Sequence, residues 1–183
     1  MSFLILIAGL VLWTVAHLFK RLAPGPRESL GNAGKGIAAL CILAGLVLMI
    51  IGYRGADFIP VWSPLPWLTH LNNLLMLGAV FLFGMSATTG RLRGRMRHPM
   101  LASVKVWALA HLLVNGDLAS IVLFGGLLAW AVVEVIVINR AGPWDRPEPG
   151  EPKGDVKLVV ITLVVYGVIT GIHTWLGVWP FGG

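Results

Sequence analysis

Five histidines, His17, His70, His98, His111 and His173, are the side chains of this sequence best suited to chemistry. Each stands within or at the edge of a long apolar run. A neutral imidazole offers a nitrogen to iron, zinc or copper, and an ionisable group in hydrocarbon is costly enough to mark a functional position. Spacing joins the histidines to polar neighbours. His111 and Asn115 are four apart and share a helical face, Thr170 and His173 share another that continues through Tyr166 and Thr162, and His70 stands with Asn73. Three imidazoles at one depth on three helices would suit haem or a metal ion. The competing reading makes each a hydrogen-bonded residue at the membrane interface, and the residues alone leave both open. Lys105 and Glu134 fall at similar depth on neighbouring segments, placed to pair and pin a hairpin, with a proton relay as the alternative.

The elements that position these groups must be membrane helices. Of 183 residues, 57% are apolar and 12% charged, against roughly 45–50% and about 25% in soluble domains. That balance excludes a water-soluble globular enzyme, a disordered tail and a disulfide-stapled module. Cys41 is the single cysteine, so an internal disulfide is excluded too. The net charge of +6 does not point to nucleic acid. The cations sit in short clusters between apolar runs, not on a basic face interleaved with aromatics.

About 20 apolar residues cross a bilayer as a helix. Six segments approach that length: residues 2–19, 36–53, 68–86, 99–114, 118–138 and 156–178. The first has no basic start and no small-residue cleavage pattern, so it reads as a retained helix and not a signal peptide. Lys20, Arg21, Arg27 and Lys35 lie in the first connection, Arg91, Arg93, Arg95 and Arg97 in the third, and Arg140, Arg146, Lys153 and Lys157 in the fifth. The second holds only Arg54 and the fourth none. The positive-inside rule therefore places both termini on the non-cytoplasmic side. The expected fold is all-α, a polytopic bundle of about six transmembrane helices forming one domain over residues 1–183.

Connections carry further expectations. Asn115-Gly116-Asp117 is a tight turn, which makes spans four and five an antiparallel hairpin. Asn115 and Asp117 read mainly as turn residues closing local hydrogen bonds. The stretch from Gly142 to Gly154, rich in proline and charge, reads as an extended, solvated connector. Gly167 and Gly171 form a small-xxx-small pair, expected to pack within the molecule, with dimerisation as the alternative. Pro99, after Arg97-His98, opens span four.

The segment Arg97-His98-Pro99-Met100-Leu101, followed by Trp107-Ala108-Leu109-Ala110-His111-Leu112-Leu113-Val114-Asn115-Gly116-Asp117-Leu118-Ala119-Ser120, resembles the NnrU family. The likeness extends to a first-span histidine, a Gly52-Tyr53 ending of span two and His173 ahead of a Gly-Val-x-Pro ending, so it touches nearly the whole chain. The resemblance implies a bacterial inner-membrane protein associated with denitrification, in nitrite and nitric oxide metabolism. The family also includes the 15-cis-zeta-carotene isomerases, which carry haem b. By that resemblance His17 and His111 are the implied axial ligands here. Where those isomerases place a cysteine just before the second histidine, this chain has Ala108. Depth argues for other pairs. At 1.5 Å per residue, His17 falls towards the cytoplasm and His111 near the outer face, roughly 15 Å apart in depth, which favours His111 with His70 or His173, or His17 with His98.

Three functions are thus expected as rivals. The first is a haem b protein acting by redox chemistry, sensing or support of a membrane reductase. The second is a cis-trans isomerase of a polyene or other hydrophobic small molecule. The third is a non-catalytic scaffold for a respiratory complex. The partners common to all three are lipid, with no nucleic acid.

Overall fold

The computed structural model describes residues 1–181. They form seven helices and one 3-10 turn: α1 (Ser2–Leu22), α2 (Pro24–Ser29), α3 (Ala33–Arg54), α4 (Leu68–Ala87), the 3-10 turn Arg91–Arg95, α5 (Pro99–Val114), α6 (Leu118–Ala141) and α7 (Pro152–Trp175). Helices α1, α3, α4, α6 and α7 are long and apolar enough to cross a membrane, and α5 is a shorter apolar helix of 16 residues. The chain is a multi-pass helical membrane protein.

Local chemistry sets the helix ends. Proline fits the first helical turn, where its missing N–H has no intrahelical partner. Pro99 opens α5 as expected, and Pro24 and Pro152 open α2 and α7. Thus α7 begins upstream of the apolar run, with Lys153, Asp155 and Lys157 in its first turns. It closes at Gly177, which has φ +83. There the Gly177 N–H donates to the Thr174 carbonyl and the Val178 N–H to the His173 carbonyl, at 3.0 and 2.9 Å. These bonds satisfy carbonyls the helix leaves open, and the left-handed backbone suits glycine.

The chain divides into two compact units, Met1–Trp62 with Gly116–Gly142, and Ser63–Asn115 with Pro143 onward. In the first unit α1 packs against both α3 and α6. Close approach of α1 and α3 runs through glycines. A Cβ on Gly9 would lie 2.7 Å from the Met49 nitrogen and 2.8 Å from the Gly45 carbonyl oxygen, and one on Gly45 would lie 3.0 Å from the Trp13 nitrogen. Small residues let backbones meet where lipid offers no hydrophobic driving force between helices.

In the second unit α4 packs against both α5 and α7. At one end Asn73 Nδ2 donates to the Pro180 carbonyl at 2.8 Å. At the other, the Leu92 N–H donates to Asp155 Oδ1 at 3.1 Å and Arg146 Nε donates to the Gly94 carbonyl at 2.7 Å. The proline-rich connector has no regular structure, as expected, yet Arg146 pins it to the 3-10 turn.

The expected packing of Gly167 and Gly171 does not occur. Both are exposed, and a Cβ on either would meet nothing within 4 Å. Glycines that permit close helix contact include those of α1 and α3, with Gly126 of α6 against Leu10 and Gly84 of α4 against Leu158.

Gly45→Val should therefore lower stability by about 1–3 kcal/mol through overpacking, whereas Gly167→Ala should leave it nearly unchanged. Unfolding of the two variants in the same detergent measures the difference.

Candidate functional site

The fourth connection, Asn115-Gly116-Asp117, shows how the most specific stretch of the sequence works. In the first unit Asp117 caps α6: Oδ1 accepts the Ser120 N–H at 3.0 Å and Oδ2 accepts the Ser120 hydroxyl at 2.5 Å. Tyr53 at the end of α3 joins this chain, its hydroxyl 2.9 Å from Ser120 Oγ. The Gly116 carbonyl accepts the Val61 and Trp62 N–H groups, and the Leu118 N–H reaches the Ile59 carbonyl. Gly116 has no side chain to block that loop, since a Cβ there would collide with the Trp62 carbonyl. In the second unit Asn115 Nδ2 donates to the His111 carbonyl at 2.8 Å. Asn115 thus touches the backbone of His111 and fixes the last turn of α5. Asn115 and Asp117 are turn residues, as their types and position suggest.

The second unit carries four of the five expected histidines. Helix α4 runs antiparallel to α7, as the Asn73–Pro180 and Leu92–Asp155 bonds require. His70 in the first turn of α4 and His111 and His173 in the last turns of α5 and α7 therefore belong to one end of the unit. His98 precedes Pro99 at the opposite end of α5, where its carbonyl accepts the Ala102 N–H. His70 is exposed, while His111 and His173 are half-buried and within electrostatic reach of each other.

These two rings share a local geometry. His111 Nδ1 lies 2.9 Å from the Trp107 carbonyl, and His173 Nδ1 lies 2.8 Å from the Ile169 carbonyl. A carbonyl only accepts, so Nδ1 carries the hydrogen in each case and Nε2 the lone pair that a metal takes. The Trp107 indole also packs on the His111 ring, centroids 5.1 Å apart. Among the described residues no three His, Cys, Asp or Glu side chains converge as a metal-ion site.

An open groove of about 330 Å³ lies between α4 and α7 in the same unit, lined by Leu74, Leu77, Gly78, Phe81, Val159, Thr162 and Leu163. Its wall is almost wholly apolar, and Thr162 is the one polar side chain on it.

The first unit carries the fifth histidine. His17 Nδ1 lies 2.9 Å from the Trp13 carbonyl, the same bond again. Its ring packs on Trp13 and on Trp130 of α6, at centroid distances of 4.4 and 4.7 Å. One turn further, Arg21 Nε stands 3.4 Å from Glu134 Oε1. Glu134 was expected beside Lys105; within its unit its partner is Arg21. The reason is that α1 stays helical to Leu22, which carries Arg21 down the face of Trp13 and His17 and against α6. The tryptophans were missed by the sequence reading, although their signal was present: Trp13-His17, Trp107-His111 and Trp130-Glu134 all repeat one four-residue step.

Over residues 5–180 the chain matches the family described as NnrU protein, and it belongs to that family. No curated protein and no solved structure matches it.

Removing Arg21 strands the buried Glu134 charge, whereas replacing both partners is milder. Arg21→Met should accordingly be less stable than the double variant Arg21→Met/Glu134→Met, by up to about 3 kcal/mol. Parallel unfolding curves in detergent give the ordering.

Proposed function

We propose that this member of the NnrU family is a six-span protein of the bacterial inner membrane that binds haem b and acts in nitrite and nitric oxide metabolism. The twelve cations of the first, third and fifth connections support an orientation with both termini outside the cytoplasm. What carries the haem reading is the shared geometry of His111 and His173. Two half-buried imidazoles at one end of one unit each give Nδ1–H to their own helix, which is how a protein fixes the tautomer and ring orientation of a ligand histidine.

In this reading His111 and His173 would hold the haem, each through its Nε2. Bound haem would supply an iron that exchanges one electron or takes a diatomic ligand such as nitric oxide. The chain's own residues do the rest. Trp107 packs on the His111 ring, Asn115 holds the His111 carbonyl, and the glycine turn at Gly177 holds that of His173. Redox chemistry, sensing and support of a membrane reductase are all compatible with such a centre.

A second reading rests on a different observation. The apolar groove between α4 and α7 has the size at which small-molecule pockets begin. It would suit a polyene or another apolar chain, and cis-trans isomerisation there would return a product of unchanged mass.

Single variants test the first reading through haem content. His111→Ala and His173→Ala should each abolish or strongly alter the absorption of haem-loaded protein, while His98→Ala at the far end of α5 should leave it unchanged. Full haem retention by His173→Ala would overturn the pairing. His17→Ala examines the ligand that the family resemblance implies.

A further inference from the structure

The cluster on α1 and α6 leaves three polar atoms unanswered. Trp13 Nε1, Trp130 Nε1 and Glu134 Oε2 are all buried with no hydrogen-bond partner. They are neighbours, not scattered. The Trp13 and Trp130 rings meet edge to face at 5.4 Å, both touch His17, and Glu134 follows Trp130 by one helical turn. Trp130 is 6% exposed and the Glu134 side chain 10%. In a bilayer each such group would cost several kcal/mol if left unpaired, so the accounting asks for a partner of matching chemistry.

The three atoms define that partner. Two are N–H donors and need acceptor lone pairs; the third is a carboxylate oxygen and needs a donor. Arg21 engages Oε1 and leaves Oε2 open. One nitrogen of His17 is oriented too. With Nδ1 turned to the Trp13 carbonyl, Nε2 is the acceptor. Two donors and two acceptors are the complement of a single water molecule, which has two lone pairs and two hydrogens.

We propose that the Trp13–His17–Trp130–Glu134 cluster is a binding site for an internal water, which accepts from both indole N–H groups and donates to Glu134 Oε2 and His17 Nε2. Buried waters characteristically make about three bonds to polar groups that lack other partners. The site links His17, through the water and Glu134, to the ion pair with Arg21, whose side chain is 31% exposed. That gives His17 a polar connection to the edge of the unit.

Radiolytic footprinting of the full-length protein in detergent tests this, because an X-ray pulse turns a bound water into a hydroxyl radical in place. Performed in isotopically heavy water, it also marks the source of the oxygen. Trp130 should be oxidised at a rate within a few-fold of the exposed Trp175 despite its burial. Glu134→Leu, which removes the acceptor, should cut that rate several-fold, and Glu134→Gln, which can still bond water, should retain it. If Glu134→Leu does not fold, Trp13→Phe serves, since it removes one donor and keeps a ring; the Trp130 rate should again fall. An unmodified Trp130 in the wild-type protein overturns the proposal. So does a Trp130 rate indifferent to the loss of either Glu134 or the Trp13 N–H.

Discussion

A helix crossing hydrocarbon has no bulk water to satisfy a stray N–H, so every polar side chain it carries must find a partner inside the protein, a side chain, a carbonyl or a trapped water. Three histidines of this chain answer in one way. His17, His111 and His173 each turn Nδ1 to the carbonyl four residues back on their own helix. The bond satisfies one ring nitrogen at no cost to packing, and it decides the tautomer. The tautomer so fixed puts the lone pair on Nε2, which is the form of imidazole that binds metal or accepts a hydrogen bond. The functional reading of the molecule follows from this constraint.

The same constraint shapes the rest of each unit. α1 and α3 share no strong polar contact, so their glycines bring the backbones together and dispersion holds them. Where polar groups do enter, they arrive in closed sets, such as Tyr53, Ser120 and Asp117 at the start of α6. Ser120 is wholly buried and its hydroxyl is engaged on both sides. Among the described residues an open set lies around Glu134, and its open atoms are of complementary kinds.

Much of this was legible in the sequence, and the exceptions have physical causes. The bounds of α5 follow from Pro99 at one end and Asn115-Gly116-Asp117 at the other, since both are strong local signals. The start of α7 was hidden because Pro152 can begin a helix inside a charged stretch that hydropathy assigns to the connector. Arg21 was hidden for the related reason that α1 outlasts its apolar run, so a residue assigned to a loop became the partner of Glu134. The placing of His70, His111 and His173 at one end of a unit came from counting residues along helices. Which of them are half-buried did not, because burial depends on how α4, α5 and α7 pack and not on position along one helix. Gly167 and Gly171 mark the opposite limit: spacing shows that two small residues share a face, not what the face meets.

The account stands or falls on whether the histidine geometry of α5 and α7 serves an iron. The most direct measurement is the absorption spectrum of the protein purified in mild detergent from haem-replete cells, oxidised and then reduced. A Soret band with sharp α and β bands on reduction is the predicted result, as expected of a six-coordinate haem b. A protein that is colourless as purified, and stays colourless when titrated with haem, would contradict it.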